Sequence, residues 1–424
     1  MSNSTSSGRT TGAGGTTTTD GTVGPASVLR KCYEWEDAAR ARQSGLYPFF
    51  RPIQEARGSK VIIEGKEYIM AGSNNYLGLA TDPRMKERAA AALEHYGTSF
   101  SGSRFMNGTL ALHEELEARL AAFVGKEATL CFTTGYQTNL GSISALIGKG
   151  DHVISDKFNH ASIMDGIFLT SGLNRSVNVH RYKHNNMEDL ERALQHIPRD
   201  ESKLIVTDGV FSMEGDIVNL PGIRRLADEY DAAIYLDEAH AIGVVGQTGR
   251  GTLEHYGDTS MAEVVMCTFS KSFGSIGGFI AGDAVVVDYI KHFARSLIFS
   301  ASMPPANLGA VMAALDIIEQ EPERVTRLQE IAKKMVAGFS EMGFNVGTAE
   351  TPIVPLVIGD NEKTFLFWKG LFERGVYVNP VISPAVPPNR SLIRTSYMAV
   401  HEDDELDTIL SIAGEEGRKL GIIQ

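Results

Sequence analysis

One lysine of the chain, Lys271, stands in the segment TFSKSFGSIGG (268–278), among hydroxyl side chains and glycines and directly after the apolar segment VVMC (264–267). A lysine is rarely buried unless it is paired or takes part in chemistry. A desolvated lysine has a lowered pKa, and its neutral amine can form a Schiff base with an aldehyde. The surrounding hydroxyls and backbone amides are suited to binding an anion. The segment therefore predicts a reactive lysine beside an anionic group.

Pyridoxal phosphate is the aldehyde cofactor that uses this chemistry, and it needs further groups from the protein. Asp237, at the end of the apolar run IYLD, is the candidate for a carboxylate beside the pyridine nitrogen. His240, three residues further on, and Ser212 in GVFSMEG are candidates for hydrogen bonds to the ring oxygen. His160 in KFNHAS supplies an aromatic face that can stack on the ring.

The phosphate of such a cofactor needs hydrogen-bond donors. Gly135 and Tyr136 in FTTGYQTNLG would supply backbone amides at the start of a helix. Thr268 and Ser270, on either side of Phe269, would add hydroxyls. Each residue alone is typical of an ordinary turn or helix cap. In this order along the chain, each at the end of a predicted strand of one sheet, they indicate a cofactor site.

Short apolar runs alternate with amphipathic stretches beyond residue 70, as in HVISD, KLIVTDGVF, AAIYLDEA and VVMCTFS. Runs that are apolar on both faces are typical of parallel strands covered by helices. The intervening MEDLERALQHI and LPGIRRLADEYD have helical periodicity, so the repeating unit is βαβ. Ligands bind beyond the carboxyl ends of such strands. Asp237, His240 and Lys271 would all lie there.

The chain divides by composition into four segments. Residues 1–26 are Ser, Thr and Gly with almost nothing to bury, which predicts a disordered tail. Residues 27–70 are an N-terminal arm, with a helix from about Val28 to Arg42 that the prolines of GLYPFFRPI end. Residues 71–305 form a large cofactor-binding domain, and residues 306–424 form a smaller α+β domain.

Bulk properties exclude several classes of protein. With 40 Lys+Arg against 52 Asp+Glu the net charge is -12, and no basic patch suggests a nucleic-acid partner. The three cysteines lie far apart without CxxC spacing, so neither disulfides nor a metal site is expected, and a reducing cytoplasm fits. No apolar run reaches the length of a membrane span. Peripheral contact with the inner membrane stays open, through the aromatic cluster of GLYPFFRPI.

Six segments together resemble the α-oxoamine synthases: SNNYLGL, TTGYQTN, NHASIMDG, DGVFSMEGD, LDEAHAIGVVG and TFSKSFGSIGG. These are fold-type I pyridoxal-phosphate enzymes that condense an amino acid with an acyl-CoA and release carbon dioxide and CoA. The resemblance runs from about residue 47 to the C-terminus. It implies a large domain with a mainly parallel seven-stranded sheet between helices, and a smaller C-terminal α+β domain.

Within the family, SGSRFMNGTLALHEELE (101–117) and VNPVISPAVP (378–387) are similar to bacterial serine palmitoyltransferases. That branch implies L-serine and a long-chain acyl-CoA as substrates and 3-ketosphinganine, a sphingolipid precursor, as product. Glycine C-acetyltransferase, 8-amino-7-oxononanoate synthase and 5-aminolevulinate synthase stay as alternatives. A noncatalytic partner subunit is disfavoured, because Lys271, Asp237 and His160 are all present.

The resemblance also assigns roles outside the cofactor site. It implies a homodimer with the active site at the interface, where Ser300 would reach across to the phosphate. Asn75 and Tyr76 would line the substrate side, and Arg394 would grip the substrate carboxylate with two hydrogen bonds. A structural ion pair is the alternative role for Arg394. Ile382 stands where some bacterial serine palmitoyltransferases carry an arginine.

Catalytic roles follow from the same resemblance. Lys271 would hold the cofactor and act as the base that removes the substrate α-proton. His160 would stack on the ring and contact the substrate carboxylate. Asp237 and His240 would control the electron distribution of the ring from its nitrogen and its oxygen.

Overall fold

A computed structural model describes residues 26–172 and 176–424. The predicted disordered tail lies outside these ranges, apart from Ala26. The chain divides into two compact units, of which the first ends at Phe50 and the second runs from Arg51 to Gln424. No helix within the described ranges is both long enough and apolar enough to cross a bilayer.

The first unit contains three short helical segments: a 3-10 turn at Ser27–Leu29, α1 (Arg30–Glu34) and α2 (Asp37–Gln43). The sequence predicts one continuous helix here, but the backbone of Trp35 is extended, with φ -82° and ψ 110°. None of the three segments has a buried residue. Helices this short are marginal without a packed face, which explains the interruption.

The second unit contains the remaining elements in chain order. Its strands are β1 (Glu55–Arg57), β2 (Lys60–Ile63), β3 (Lys66–Met70), β4 (Ala128–Phe132), β5 (His152–Asp156), β6 (Asn178–Tyr182), β7 (Lys203–Asp208), β8 (Ala233–Asp237), β9 (Val264–Thr268), β10 (Gly278–Gly282), β11 (Ile353–Val357), β12 (Val376–Tyr377), β13 (Asn379–Val381) and β14 (Leu392–Ser396). Its helices are α3 (Pro83–Tyr96), α4 (Ala111–Val124), α5 (Gly135–Leu146), α6 (Ala161–Gly172), α7 (Met187–Gln195), α8 (Leu220–Tyr230), α9 (Thr252–Tyr256), α10 (Ala284–Phe293), α11 (Arg295–Ile298), α12 (Pro305–Gln320), α13 (Glu323–Glu341), α14 (Asn361–Glu373) and α15 (Asp403–Lys419). Two 3-10 turns lie at Leu79–Thr81 and Thr259–Met261.

A seven-stranded sheet in the order β4-β10-β9-β8-β7-β5-β6 forms the centre of this unit. Strand β10 pairs antiparallel with both of its neighbours, β4 and β9. The other neighbouring strands, from β9 through β8, β7 and β5 to β6, pair in parallel. Alternate residues of the central strands pack into two apolar clusters, with Ile234 and Leu236 in one and Tyr235 in the other. The runs predicted to be apolar on both faces are therefore strands with both faces covered, and the predicted fold class is confirmed.

Two smaller sheets, in the orders β1-β2-β3-β12 and β11-β14-β13, share a third apolar cluster with residues of α13, α14 and α15. Helix α12 instead contributes to the first cluster and lies close to α3. A Cβ on Gly309 would lie 2.5 Å from the carbonyl oxygen of Arg88, so glycine permits this close approach. The domain limits at residues 70/71 and 305/306 stay predictions.

Candidate active site

The carboxyl ends of the central strands surround a cavity of about 280 Å³. Its lining comes from the ends of β7, β8 and β9, the start of α5 and the segment that follows β5. Eight of the residues that the sequence predicts for the cofactor line this one cavity: Gly135, Tyr136, His160, Asp237, His240, Thr268, Ser270 and Lys271. Parallel strands present their carboxyl ends at one edge, which brings together residues more than a hundred positions apart.

The first turn of α5 forms one end of the cavity. Thr134 is the N-cap of α5, and its hydroxyl accepts a hydrogen bond from the backbone N–H of Gln137 at 3.1 Å. A Cβ on Gly135 would lie 2.5 Å from Oγ1 of Thr268, so only glycine leaves room here. The hydroxyls of Thr268 and Ser270 lie 2.8 Å apart at the same end. A helix N-terminus beside two hydroxyls is suited to a phosphate.

Asp237 ends β8 and is almost completely buried, with 4% of its surface exposed. Its Oδ2 accepts a hydrogen bond from the amide of Asn139 at 2.7 Å, and its Oδ1 accepts one from the N–H of Ala239 at 2.9 Å. The hydroxyl of Tyr235 donates to Oδ1 of Asn139 at 2.9 Å, so the NH₂ group of that amide faces the carboxylate. Two donors therefore fix the carboxylate of Asp237 in place.

His160 is joined to the same network through Ser162. Nδ1 of His160 lies 2.8 Å from the hydroxyl of Ser162, which accepts a hydrogen bond from Asn139 at 2.9 Å. The backbone N–H of Ser162 also points to Nδ1 of His160, at 3.3 Å. Burial lowers the pKa of His160, which favours the neutral ring. A neutral ring that accepts at Nδ1 carries its proton on Nε2.

Lys271 lies three residues beyond the end of β9. Burial lowers the pKa of its amine to about 8, although the carboxylates of Asp237 and Asp208 act in the opposite direction. A fraction of the molecules therefore carries a neutral amine near neutral pH. The neutral amine is the form that attacks an aldehyde.

Asp208 ends β7 and lies opposite Asp237 in the parallel register. It is 3% exposed, and neither carboxyl oxygen has a side-chain hydrogen-bond partner among the residues described. Burial and the nearby charge of Asp237 raise the pKa of Asp208 well above its usual value.

His240, Tyr76 and Arg394 form a buried chain beside the cavity. Nδ1 of His240 lies 2.7 Å from the hydroxyl of Tyr76, and Nη2 of Arg394 lies 3.4 Å from the same oxygen. Burial lowers the pKa of His240 well below its usual value, so its ring is neutral. Nε of Arg394 donates to the carbonyl of Ser212 at 2.6 Å. No carboxylate of the described residues lies within 4.0 Å of Arg394, so the alternative of a structural ion pair is not observed.

Five predicted residues do not line the cavity: Asn75, Tyr76, Ser212, Ser300 and Arg394. The hydroxyl of Ser300 accepts a hydrogen bond from the side chain of Gln137 in the same chain, at 3.0 Å. Oδ1 of Asn75 accepts one from the N–H of Ala80 at 3.2 Å. The carbonyl of Ser212, and not its hydroxyl, makes the contact with Arg394. The roles that the sequence assigns to all five stay predictions.

The sequence analysis does not single out four residues with polar side chains that line the cavity: Thr134, Asn139, Ser162 and Asp208. Asp208 ends the apolar run KLIVTD in the same way that Asp237 ends IYLD, so the signal used for Asp237 was present. Asn139 lies one helical turn after Gly135, and such spacing places it on the same face of α5. The register of β7 on β8 and the approach of α5 to the sheet, which decide both contacts, are not visible in the sequence.

These residues fit pyridoxal phosphate on the evidence of their own geometry. The cavity offers a helix N-terminus that a Cβ would fill, a buried carboxylate held by two donors, and a lysine with a lowered pKa. On a mainly parallel sheet this set defines a fold-type I pyridoxal-phosphate enzyme.

Known proteins agree with this class. Residues 66–412 match the aminotransferase class I and II family, and the chain belongs to it and, within it, to the α-oxoamine synthases. The serine palmitoyltransferase of Sphingobacterium spiritivorum is 51% identical over 366 residues, which cover 86% of this chain and 90% of that protein. The 8-amino-7-oxononanoate synthase of Symbiobacterium thermophilum is 40% identical over 389 residues, which cover 92% of this chain and 98% of that protein.

Solved structures lead to the same family. A high-resolution structure of SPT, which is serine palmitoyltransferase, with the PLP internal aldimine superposes with a TM-score of 0.89. It is 34% identical in sequence, and the match covers 94% of this chain and all of that one. The predicted family, fold class and cofactor are thereby confirmed.

We expect borohydride to fix the cofactor to a single lysine. Reduction of the protein loaded with pyridoxal phosphate should give a stable adduct on Lys271, because its neutral amine is the nucleophile of the cavity. Peptide mass spectrometry locates the adduct, and the Lys271→Ala variant should show none. An adduct on another lysine in the wild-type protein would contradict this assignment.

The hydrogen bond from Asn139 to Asp237 should affect the affinity for the cofactor. Asn139→Ala removes one donor to a buried charge, which is worth about 1.5–3 kcal/mol, so the affinity for pyridoxal phosphate should fall about tenfold or more. Ser144→Ala is the matched control, because the Ser144 hydroxyl lies on the same helix and bonds only to helix carbonyls. Equal affinities of the two variants, measured by fluorescence titration, would refute the role of Asn139.

Proposed function

We propose that this chain catalyses the decarboxylative condensation of L-serine with a long-chain acyl-CoA such as palmitoyl-CoA. The products are 3-ketosphinganine, CoA and carbon dioxide, which makes the reaction the first step of sphingolipid biosynthesis. One observation carries the proposal: four relatives named serine palmitoyltransferase are 46% to 51% identical to this chain over 86% to 90% of its length. Relatives named 8-amino-7-oxononanoate synthase are 39% to 42% identical.

Bound pyridoxal phosphate supplies an electron sink for negative charge that develops on the substrate α-carbon. The carboxylate of Asp237, fixed by Asn139 and Ala239, keeps a proton on the ring nitrogen and so favours this flow of electrons. The first turn of α5, with Thr268 and Ser270, would hold the phosphate. Neutral His240 donates or accepts at the ring oxygen, since its other ring nitrogen is engaged by Tyr76.

Lys271 acts as the base in this proposal. Its pKa of about 8 lets the neutral amine accept the α-proton of the substrate near neutral pH. His160 would stack on the ring and would offer its Nε2–H to the substrate carboxylate. Arg394 has no carboxylate partner in the described chain, and beyond its bond to Ser212 its guanidinium makes only long contacts of 3.4 Å to the hydroxyls of Tyr76 and Ser396, so we infer that it supplies N–H groups to the substrate carboxylate. Positive and neutral donors around the carboxylate orient the substrate for attack on the thioester.

A homodimer with the active site at the interface is part of the proposal. Large apolar side chains are exposed in the single chain, among them Phe299, which precedes Ser300, at 74% and Met106 at 78%. Tyr289 and Phe293 stack on each other and are also about half exposed. Exposed apolar side chains that lie close together are typical of a protein interface. Burying them against a second copy would bring Ser300 of each chain close to the interface.

A cytoplasmic location is the remaining part of the proposal. The three cysteines Cys32, Cys131 and Cys267 are free thiols in the structure, which suits a reducing compartment. The exposed aromatic residues of the first unit, Tyr33, Trp35, Phe49 and Phe50, support the prediction of peripheral contact with the inner membrane. A noncatalytic subunit is disfavoured, since the lysine, the aspartate and the histidine converge on one cavity.

A CoA-release assay tests the choice of substrates. We expect kcat/KM to be at least about tenfold higher for L-serine with palmitoyl-CoA than for glycine or L-alanine, or for acetyl-CoA, because a changed side chain or chain length typically costs 1–3 kcal/mol. Mass spectrometry of the products should show 3-ketosphinganine. Preference for glycine with acetyl-CoA would instead identify a glycine C-acetyltransferase. Preference for L-alanine would favour the 8-amino-7-oxononanoate synthase branch.

A further inference from the structure

One histidine outside the cavity lies between two buried carboxylates. Nδ1 of His184 is 3.2 Å from Oδ1 of Asp156, and Nε2 of His184 is 3.0 Å from Oδ2 of Asp216. Its ring also packs between Phe158 and Phe211, with centroid distances of 4.7 Å and 4.3 Å. Each ring nitrogen faces a carboxylate, and a carboxylate accepts hydrogen bonds. The histidine can therefore bond to both carboxylates only when both of its ring nitrogens carry a proton.

The first carboxylate belongs to the segment that carries His160. Asp156 ends β5 and is fully buried. Its Oδ1 also accepts the N–H of Phe158, and its Oδ2 accepts the N–H of Asn185, each at 2.8 Å. Two residues beyond Phe158 the chain reaches His160, which lines the cavity. The position of this turn therefore depends on the carboxylate that His184 contacts.

The second carboxylate belongs to the turn that holds Arg394. The carbonyl of Asp216 accepts the N–H of Phe211 at 3.1 Å, and Gly215 donates to the carbonyl of Phe211 at 2.9 Å. The tight turn that these bonds close carries Ser212, whose carbonyl accepts Nε of Arg394 at 2.6 Å. His184 is thus a single side chain that connects the His160 segment with the support of Arg394.

We propose that His184 is a positioning residue of the active site, which holds the segments of His160 and Arg394 at a fixed separation. Both side chains are proposed above to contact the substrate carboxylate, so this inference rests on the proposed function for its kinetic part. Movement of either segment would change where that carboxylate lies, and a displacement of about 1 Å in an active site costs up to about a hundredfold in rate.

The charge of His184 agrees with this role. Hydrogen bonds and charges of Asp156 and Asp216 outweigh burial, which acts in the opposite direction, and raise the pKa of His184 to about 10. Glu214 also lies close enough to interact with the charge of His184, and burial raises the pKa of Glu214. The raised pKa of His184 means that its contribution to stability is complete below its usual pKa of about 6.5 and is lost as the pH rises through about 10.

The test compares His184→Gln with His152→Gln in the full-length protein loaded with pyridoxal phosphate. His152 begins β5, at the end opposite to Asp156, and its ring also contacts polar side chains, those of Asn178, His180 and Glu201, so it is a matched control. In His184→Gln we expect a weaker visible circular dichroism band of the cofactor and a KM for L-serine raised about tenfold or more, with a smaller change in kcat. The control should lose thermal stability alone.

The pH dependence and a second substitution complete the test. The loss of melting temperature in His184→Gln relative to wild type should be largest below about pH 6.5 and should shrink toward pH 10. Adding Asp216→Asn to His184→Gln gives the glutamine oxygen a donor, so the double variant should regain part of the dichroism and of the KM. Should His184→Gln fail to fold, Asp216→Asn alone should show the same changes in a milder form.

Two outcomes separate the inference from the proposed function. If the wild type does not use L-serine, the proposed function is wrong, while the dichroism band and the cofactor affinity still report on His184. If the wild type uses L-serine but His184→Gln keeps the dichroism, the cofactor affinity and the KM within twofold of wild type, His184 only supports the fold. That second result would overturn the inference.

Discussion

The site depends on one buried negative charge at the carboxyl end of β8. Asp237 is held by the amide of Asn139 and the N–H of Ala239, and Asn139 is itself oriented by Tyr235. An isolated carboxylate would be costly in such a buried place, and hydrogen bonds with defined donors offset that cost. The same amide reaches His160 through Ser162, so the group proposed to stack on the cofactor and the group proposed to bind its nitrogen are positioned by one side chain.

This charge also balances the lysine. Burial alone would push the pKa of Lys271 lower, and the carboxylates of Asp237 and Asp208 limit the shift so that the pKa stays at about 8. The pKa of Asp208 shifts upward, because burial and the negative charge of Asp237 both disfavour its ionised form. The amine is therefore close to the point at which it can both give and take a proton near neutral pH. That balance requires three side chains from the ends of neighbouring strands.

Local sequence patterns predict part of this arrangement. Strands with two apolar faces and polar residues at their ends could be recognised, and parallel pairing then brings Asp237 and Lys271 to one edge. The hydrogen bonds of Asn139 and the burial of Asp208 depend on register and on the packing of α5, which no local pattern encodes. The hydrogen bond of Ser212 to the cofactor ring oxygen stays a prediction, and the contact of its carbonyl with Arg394 depends on a tertiary approach that the local pattern does not show. The helix predicted from Val28 to Arg42 is interrupted at Trp35, because it has no buried face.

The protonation state of the cofactor ring tests the central role of Asp237 most directly. Nuclear magnetic resonance of the protein loaded with pyridoxal phosphate carrying ¹⁵N in its ring reports whether that nitrogen bears a proton. The account predicts a protonated ring nitrogen in the wild type and an unprotonated one in Asp237→Asn. A ring nitrogen that is unprotonated in both proteins would contradict it.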